Sequence, residues 1–508
     1  MTVSMAPIGA GNRKARRAQR MGAKVVRPKV MRPTVDVAPI LAPVPGLIAC
    51  RQHEAAVEAL KHALSADPNS AAAHLLMGIL SFEIKNFQQA NALYNAAGKL
   101  AGPNDTGTLL VLKGDLLTAA GRGDEAAKAY RSCVNQPAAS TPQWVQARAL
   151  FRQAQAAIDA GDDPAGQSHL SRALSLTPDD PMMLAVLAAL EERLGDRLAA
   201  LKAYKRATAL APDDAGLFND FAGLLVRLKR LQEGLAAYQI AGKLRPDNTI
   251  VQNNIANTFF QMQRHQEALA AFERVLLLDP EDDYARHMAS SLKGEAAPGR
   301  ASDGYVKTTF DQFAATFEDK LSTLGYAGPE KIDAALKELI GPGNGDLMVL
   351  DGGCGTGWCG PFLRRYAASL DGVDLSPGML EKARRRDVYD ALFESELTGF
   401  LLERPGTYDL IVDADVLCYF GALEEVMTAS SVALIPGGQF IFTVERCDDG
   451  QDYVLNPHGR YSHSEAYIRR LLAENGLSLT KMDHIQLRSE AGKPVMALLV
   501  CAQLDEIG

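Results

Sequence analysis

The sequence has few cysteines, no long apolar run and no acidic residue near its start. Its 508 residues include seven cysteines, an odd number without the spacing of a disulfide framework, which favours a reducing, cytoplasmic compartment. Cys354 and Cys359 lack C-x-x-C spacing and a nearby histidine, so they predict buried side chains and no metal site. No apolar run reaches about 18 residues, so no membrane span is expected. The 47% hydrophobic and 22% charged residues are typical of a soluble protein with two or more domains.

The start of the chain is its one strongly charged region. Residues 1–35 carry nine Lys/Arg and no acid, which predicts a basic, disordered tail over residues 1–45. Docking on nucleic acid or on a membrane surface, or a transit peptide, stays open for this tail. A secretory signal is disfavoured because no apolar segment follows the basic stretch. Elsewhere in the chain, nucleic acid is not an expected partner.

The most informative segment is an apolar run that ends in an acid and is followed at once by glycines. Residues 347–350 predict a buried strand of a parallel sheet, Asp351 ends it, and residues 353–357 have glycine at every second position. Glycine allows a sharp turn and leaves room for a ligand against the main chain. A helix is expected over 358–368, with its free N–H groups directed into the loop. This order predicts a cradle for a nucleotide or a related cofactor.

Two cofactor classes compete for this loop. Residues 355–360 match the dinucleotide pattern G-x-G-x-x-G, but the first glycine of that pattern should follow the strand directly, and here four residues intervene. A second short strand is expected to end in Asp374, whose carboxylate can accept hydrogen bonds from both ribose hydroxyls. Ser376 then predicts the N-cap and Pro377 the first position of a helix.

In this context the loop resembles the cofactor-binding motif of class I S-adenosylmethionine-dependent methyltransferases. The resemblance implies that Asp351 faces the methionine part of S-adenosyl-L-methionine, and that Asp374 holds its ribose. Glu396 and Leu397 stand where the family contacts the adenine edge. The cofactor-binding residues implied in this way are Asp351, Gly353, Cys354, Gly355, Thr356, Gly357, Asp374, Leu375, Met379, Glu396 and Leu397.

The resemblance also implies the fold of the second half of the chain. It is expected to be an α/β, Rossmann-like domain with a seven-stranded sheet, over residues 305–508. Phe310, Phe313 and Phe317 resemble the amphipathic helix that closes over the cofactor in small-molecule and carrier-protein methyltransferases, although their spacing also fits ordinary core packing. The later strands are expected at 391–395, 408–417, 439–445, 477–487 and 494–502.

The nature of the methyl acceptor decides whether a catalytic base is needed. A substrate O, N, S or C attacks the methyl group in line, and a base contributes only if that nucleophile must lose a proton. The candidates at the open edge of the sheet are Asp415, Tyr419 and His463. The alternatives are a helix cap for Asp415 and a surface position for His463. Asp413 is interpreted as a solvated loop acid, because the family commonly has a small residue there.

The first half of the chain has an internal repeat of about 34 residues. Its marker prolines recur at intervals of 34 or 35, with one interval of 41, and five of the seven stand beside an aspartate. Small residues flank a large one at fixed positions before these prolines, as a stacked helical hairpin requires. The pattern resembles tetratricopeptide repeats. The prolines are Pro68, Pro103, Pro137, Pro178, Pro212, Pro246 and Pro280.

Six full repeats are expected from about 71 to 280, followed by a capping helix over 282–293. An earlier repeat is expected to be incomplete, because Pro39, Pro43 and Pro45 disfavour a regular first helix. The chain as a whole resembles predicted methyltransferases with N-terminal tetratricopeptide repeats. The expected division is a basic tail (1–45), an all-α repeat solenoid (46–293), a linker (294–304) and the methyltransferase domain (305–508).

The concave face of the repeats is the expected site for a protein partner. Asn219 and Asn253 lie 34 residues apart on the first helix of successive repeats, with Asn254 beside them. Their amides could hold an extended peptide backbone. The leading hypothesis is a methyltransferase whose repeats recruit a protein partner or a protein-bound substrate. The alternatives are an enzyme acting on a free small molecule, with repeats for assembly, and a scaffold whose cofactor domain has no activity.

Overall fold

The computed structural model describes residues 36–294, 298–314, 316–448, 450–490 and 492–506. The chain divides into two compact units, the first ending at Leu194 and the second beginning at Gly195. The basic segment 1–35 lies outside the described residues. Within the rest of the predicted tail, residues from Ala38 onward are helical, because Val37, Leu41 and Val44 bury their side chains in the core of the first unit. This corrects the predicted disorder of residues 38–45.

The described part of the first unit consists of helices. Three hairpins, α4/α5, α6/α7 and α8/α9, follow the sequence period, and two short helices replace a regular helix at Pro39 to Pro45, as predicted. The α-helices are α1 (Ala38–Leu41), α2 (Val44–Ala49), α3 (His53–Ala66), α4 (Ala71–Glu83), α5 (Phe87–Ala97), α6 (Thr106–Ala119), α7 (Gly123–Val134), α8 (Gln143–Asp159), α9 (Asp163–Leu176) and α10 (Pro181–Arg193).

The second unit begins with the remaining helices of the predicted repeats. Two residues after the marker prolines, Asp214 and Asp282 each accept the backbone N–H three residues on and so cap the next helix. The described helices here are α11 (Arg197–Leu210), α12 (Ala215–Arg227), α13 (Leu231–Leu244), α14 (Thr249–Gln261), α15 (His265–Leu278) and the predicted capping helix α16 (Asp283–Lys293).

After α16 the chain forms helices around one sheet. The helices are α17 (Asp303–Phe313), α18 (Phe317–Thr323), α19 (Gly328–Ile340), α20 (Gly360–Leu363), α21 (Pro377–Arg384), α22 (Leu397–Leu402), α23 (Glu424–Ala433) and α24 (Glu465–Glu474). The strands are β1 (Leu347–Gly352), β2 (Ala367–Asp374), β3 (Ala391–Glu394), β4 (Tyr408–Asp413), β5 (Leu434–Arg446), β6 (Tyr453–Leu455), β7 (Tyr461–His463), β8 (Leu477–Glu490) and β9 (Lys493–Leu504).

The sheet has seven main strands in the order β3-β2-β1-β4-β5-β9-β8. The first five are parallel, and β9 runs antiparallel to both of its neighbours. Strand β7 pairs with the carboxyl end of β5, and β6 pairs with β7. The described sheet therefore has nine strands where seven were expected. The helix expected over 358–368 is much shorter, because β2 begins at Ala367. The carboxyl ends of β1, β2 and β4 meet at one edge, where open α/β sheets bind their ligands.

Candidate active site

The glycine loop is held between the ends of β1 and β2. Gly355 donates its N–H to Asp374 Oδ2 (2.9 Å), and Ser376 donates its N–H to Asp374 Oδ1 (2.8 Å). Ser376 Oγ in turn caps α21 by accepting the N–H of Met379, as predicted for this N-cap. Asp374 therefore fixes both the loop and the start of α21, and its side chain lies half-buried between them.

The glycines of this loop have different roles. Gly353 has a φ of +59°, and a Cβ there would lie 2.4 Å from Val416 Cγ2, so tight packing requires glycine. Gly355 has a φ of +55°, but no atom lies within 4 Å of the position a Cβ would take. Gly355 therefore borders open space, as a backbone that a ligand approaches must.

Asp351 ends β1 with its side chain almost fully buried, at 1% exposure. Tyr389 donates its hydroxyl to Asp351 Oδ2 at 2.6 Å. Burial raises the pKa of Asp351 to about 7, and the nearby charge of Asp374 adds to this, while the Tyr389 hydrogen bond opposes it. A cationic group beside Asp351 would therefore stabilise its charged form.

Asp413 lies beside Asp351, at the end of β4, and the prediction of a solvated loop acid is wrong. Its side chain is fully buried, and neither carboxylate oxygen has a hydrogen-bond partner among the described residues. A Cβ on the neighbouring Gly352 would lie 2.1 Å from Asp413 Oδ1, so glycine at 352 makes room for this carboxyl group. Burial, with the charge of Asp351, raises the pKa of Asp413 to about 8.

Replacing Asp413 by Asn is expected to stabilise the protein more at pH 8 than at pH 5. Because the folded pKa is raised, the folded state holds a proton that the unfolded state releases, and stability falls as pH rises from about 4 to about 8. The slope for one group is at most about 1.4 kcal/mol per pH unit. Urea unfolding of parent and variant at several pH values measures it. A stability difference that does not grow with pH would contradict this account of Asp413.

A cavity of about 430 Å³ opens above the loop. Thr356 is 1% exposed and lines this cavity, and its hydroxyl has no hydrogen-bond partner among the described residues. Met379 is a fully buried residue of α21, and Gly357 packs against Tyr389, so these two predicted cofactor residues do not line the cavity. The predicted residues that do line it are Asp351, Gly353, Cys354, Gly355, Thr356, Asp374, Leu375, Glu396 and Leu397.

Glu396 lines the cavity but its carboxylate is also a helix cap. It accepts the N–H groups of Thr398 (3.0 Å) and Gly399 (2.8 Å) at the start of α22, and Arg300 Nη1 lies 2.8 Å from its Oε1. Glu394, two residues earlier, does not line the cavity and pairs instead with Lys307 at 2.6 Å. The adenine contact predicted for Glu396 stays a prediction.

The three candidate bases separate in the structure. Asp415, with a φ of +60°, and Tyr419 both line the cavity. His463 does not: it is fully buried in β7, its Nε2 lies 3.1 Å from the Gly421 carbonyl oxygen, and Tyr467 stacks on its ring. Burial lowers the pKa of His463 to about 4. Its predicted roles as a base or as a surface residue are therefore corrected to a core histidine.

An ion-pair network behind Asp415 was not anticipated from the sequence. Arg488 is 3% exposed and binds three carboxylates: Nη1 contacts Asp415 (2.6 Å), Nε contacts Glu490 (2.7 Å), and Nη2 contacts Glu445. Arg460 joins Glu445 and Glu490, each at 2.6 Å. These residues come from separate strands and a loop, so no spacing in the sequence indicates the cluster. It holds Asp415 in place at the cavity.

Aromatic side chains from several elements form the remaining cavity wall. Phe310 and Phe313 of α17 and Phe317 of α18 line it, so the single amphipathic helix expected there is corrected to two helices. Phe310 lies edge-on to Tyr419, with ring centroids 5.4 Å apart. The repeats also contribute three lining residues, which the sequence did not indicate: Phe260, Tyr284 and Met288.

The asparagines expected to bind a partner instead bond to one another and to nearby helices. Asn254 Nδ2 donates to Asn219 Oδ1 (2.9 Å), and Asn253 Nδ2 donates to Asp282 Oδ2 (2.9 Å). Asn219 also contacts the adjacent Asp220. These amides link α12 to α14 and α14 to α16, so the prediction that they are available to a peptide is corrected: their first role is between repeats.

Two further expectations concern absences. Within the described residues, no helix is both long and apolar enough to cross a bilayer. In the described part of the chain, no three His, Cys, Asp or Glu side chains are grouped as a metal site would require. None of the seven cysteines, all of which lie in the described residues, forms a disulfide bond.

Comparison with known families agrees with the geometry. A family described as a methyltransferase domain matches residues 325–491. Three families described as tetratricopeptide repeats match residues 47–105, 151–215 and 250–282. The chain therefore has a methyltransferase domain preceded by tetratricopeptide repeats, and the predicted fold class is confirmed. S-adenosyl-L-methionine, the predicted cofactor, is the one these comparisons support.

Individual relatives match part of the chain. Magnesium-protoporphyrin O-methyltransferase of Synechocystis sp. is 25% identical over 200 residues, which cover 35% of this chain and 86% of that protein. Methyltransferase-like protein 27 of Homo sapiens is 36% identical over 153 residues, 28% of this chain and 59% of that protein. The crystal structure of Burkholderia thailandensis 1,6-didemethyltoxoflavin-N1-methyltransferase, with 1,6-didemethyltoxoflavin and S-adenosylhomocysteine bound, is 19% identical. The match covers 42% of this chain and 93% of that chain, with a TM-score of 0.34.

Proposed function

We propose that this protein is an S-adenosylmethionine-dependent methyltransferase whose tetratricopeptide repeats recruit a protein partner or a protein-bound substrate. The observation that carries the first part is the cradle at the ends of β1 and β2. Asp351 and Asp374 flank a loop in which Gly355 borders open space and Thr356 has an unpaired hydroxyl. The matching methyltransferase family covers this cradle.

The residues of the cradle fit the groups of the cofactor. The methionine part carries an ammonium group, and a buried carboxyl such as Asp351 gains a cation by binding it, which would lower its raised pKa. Each oxygen of Asp374 accepts one backbone N–H and keeps a lone pair for a ribose hydroxyl. Thr356 can pair its orphaned hydroxyl with a polar group of the ligand.

The chain itself contributes alignment and the exclusion of water. When bound, the cofactor supplies a methyl group on a positively charged sulfur, which needs little further activation. Correct positioning of the acceptor can lower the barrier by roughly 7–11 kcal/mol. Phe310, Phe313 and Phe317 cover the cavity with apolar surface, and this favours a dry reaction site.

Asp415 is the proposed base for an acceptor that must lose a proton. Its Oδ2 is held by Arg488, while Oδ1 accepts no hydrogen bond from the described residues, and Asp415 lines the cavity. Burial raises the pKa of Asp415 and Arg488 opposes this effect. Burial also raises the pKa of Tyr419 well above its ordinary value, so its phenol is suited to donate a hydrogen bond and not to remove a proton.

The recruitment of a protein rests on the repeats, since protein binding is what stacked helical repeats commonly provide. Its alternative is a free small-molecule acceptor, with the repeats serving assembly. That alternative is favoured by the relative named for a small-molecule substrate, magnesium protoporphyrin. The third hypothesis, a scaffold without activity, is disfavoured by the complete loop and by Asp374.

Replacing Asp374 by Ala is expected to weaken S-adenosylhomocysteine binding at least about tenfold. The change removes charge-assisted hydrogen bonds worth about 1.5–3 kcal/mol each. Calorimetry on the full chain measures it. Asp371→Ala is the matched control, because Asp371 lies on the same strand but contacts Tyr408 (3.0 Å) outside the cavity. Equal affinity in Asp374→Ala and the parent would contradict the proposed cofactor site.

The same pair of proteins tests the acceptor. Methyl-labelled S-adenosylmethionine is incubated with a cell extract and with the parent chain or Asp374→Ala, and the extract is separated into protein and small-molecule fractions. Label that appears in protein only with the parent chain supports recruitment. Label confined to small molecules would favour the alternative, and no transfer to either fraction despite cofactor binding would favour the scaffold.

A further inference from the structure

The last helix of the repeats is joined to a loop of the methyltransferase fold. His287 Nε2 on α16 lies 2.7 Å from the Gly459 carbonyl oxygen and donates a hydrogen bond to it. Ser291, one turn further along the helix, has its Oγ 3.1 Å from the Pro457 carbonyl oxygen. Both side chains are buried, so these are contacts in a closed interior.

Packing around Gly459 leaves little room for the loop to move. Its φ is +84°, and a Cβ there would lie 2.7 Å from Tyr305 Oη and 3.3 Å from Met288 Sδ. The His287 ring also lies against Tyr305, with centroids 3.9 Å apart and the ring planes tilted by 31°. A change in α16 would therefore be transmitted directly to the backbone at Gly459.

This loop, residues 456–460, carries two side chains that line the cavity, His458 and Arg460. Arg460 binds Glu445 and Glu490, the same carboxylates that hold Arg488 beside Asp415. The contacts from His287 and Ser291 to the backbone of this loop thus fix the position from which Arg460 reaches Glu445 and Glu490.

Topology separates this part of the cavity from the cofactor cradle. The predicted cofactor residues follow β1, β2 and β3, whereas the network comes from β4, β5, β8 and the loop before β7. In the order β3-β2-β1-β4-β5, these two groups lie on opposite sides of the switch between β1 and β4. The cradle takes one side, so the acceptor is expected on the other.

We propose that the end of the repeats is part of the methyl-acceptor site. Phe260, Tyr284 and Met288 form a wall, here called the repeat wall, that contacts an apolar group of the acceptor. His287 is a positioning residue that sets the 456–460 loop and, through it, Arg460. The inference rests on the proposed function and adds that the repeats belong to the acceptor site as well as to recruitment.

The repeat wall is tested by filling it and by opening it in the full chain. Met288→Trp places a large ring in the wall. Phe260→Ala removes a phenyl ring from a half-buried position, where the fold should tolerate its loss. Leu277→Trp is the matched control: Leu277 lies on α15, is 84% exposed and does not line the cavity. Each variant is measured for calorimetric affinity toward S-adenosylhomocysteine and for transfer of labelled methyl groups into the extract fraction that the parent labels.

Phe260→Ala and Met288→Trp are expected to keep S-adenosylhomocysteine affinity within about twofold and to lower the initial transfer rate at low extract concentration by about tenfold or more. Leu277→Trp is expected to match the parent in both measurements. Parent-like transfer by Phe260→Ala and by any folded Met288→Trp would overturn the repeat wall. A parent chain that binds no S-adenosylhomocysteine would overturn the proposed function, and the inference with it, which separates the two failures.

His287 is tested by loss and rescue of its hydrogen bond. His287→Phe keeps a ring against Tyr305 but removes the donor, and His287→Gln restores an N–H donor. Loss of one buried hydrogen bond should raise the extract concentration needed for half-maximal transfer by about five- to tenfold, with the maximal rate and cofactor affinity little changed. His287→Gln should recover at least part of this. Equal half-maximal concentrations in His287→Phe and the parent would overturn the positioning role.

Discussion

Replacing Gly355 by Val should abolish measurable cofactor binding, with a loss of affinity of at least about 100-fold. Two effects add. Gly355 has a φ of +55°, where a β-branched residue is strained by about 1–3 kcal/mol. The new side chain would also enter the open space above the loop, where no protein atom lies within 4 Å. Calorimetric titration with S-adenosylhomocysteine measures the loss.

The control for this change is Gly406→Val. Gly406 also has a φ of +55° and open space at its Cβ, but it lies before β4 and does not line the cavity. It therefore carries the same backbone strain without the block. If both variants lost cofactor affinity equally, strain alone would be the cause. If Gly355→Val bound like the parent, the cofactor would not lie against this loop.

Replacing Arg488 by Met should destabilise the methyltransferase fold by about 3–5 kcal/mol, because Asp415 loses its cation and Glu445 and Glu490 keep only Arg460. Asp415, Glu445 and Glu490 all contact this one guanidinium, which is 3% exposed. Urea unfolding, followed by Trp358 fluorescence, measures this loss of stability. A Trp144→Phe background is used because the chain has only two tryptophans, and Trp358 lines the cavity.

Arg470→Met is the matched control for Arg488→Met. Arg470 is 48% exposed and pairs with Asp452 at the surface, so its loss should cost no more than about 1 kcal/mol. The deficit of Arg488→Met should also shrink as pH falls toward 5. Burial raises the pKa of Asp415 and Arg488 opposes that rise, so without the cation the folded-state pKa of Asp415 rises further above its unfolded value. The resulting penalty is full above the folded-state pKa and disappears as pH falls to the unfolded value. A deficit near that of Arg470→Met would show that the network is not essential to stability.

Local features of the site were predictable from the sequence. The strand before Asp351, the glycine loop, the Ser376 cap and the strand ending in Asp374 are each set by neighbouring residues, through backbone conformation and hydrogen bonds within a few positions. The helices of the repeats are local in the same sense, because aspartates at their turns cap the helices that follow. Family resemblance then supplied the cofactor.

Features that depend on distant residues were not predictable. Asp413 is buried because Gly352, far away in sequence, leaves space for its carboxyl group. His463 has the residue type of a base, yet Tyr467 and the Gly421 carbonyl enclose it. Neither fact has a signature in the spacing of residues along the chain.

The sequence by itself determined the two kinds of domain, the succession of strands from β1 to β5 along the chain, and the cradle, because period, caps and glycine placement act over short distances. The tertiary structure alone decided which side chains share the cavity. It joined Arg488 to Asp415, turned Asn253 toward Asp282 instead of the groove, and brought Met288 of the repeats to the cavity wall. Asn253 and Asp282 are 29 positions apart in the sequence, and Asp415 and Arg488 are 73 positions apart. Only the folded chain, by packing and by pairing buried charges, brings such residues together.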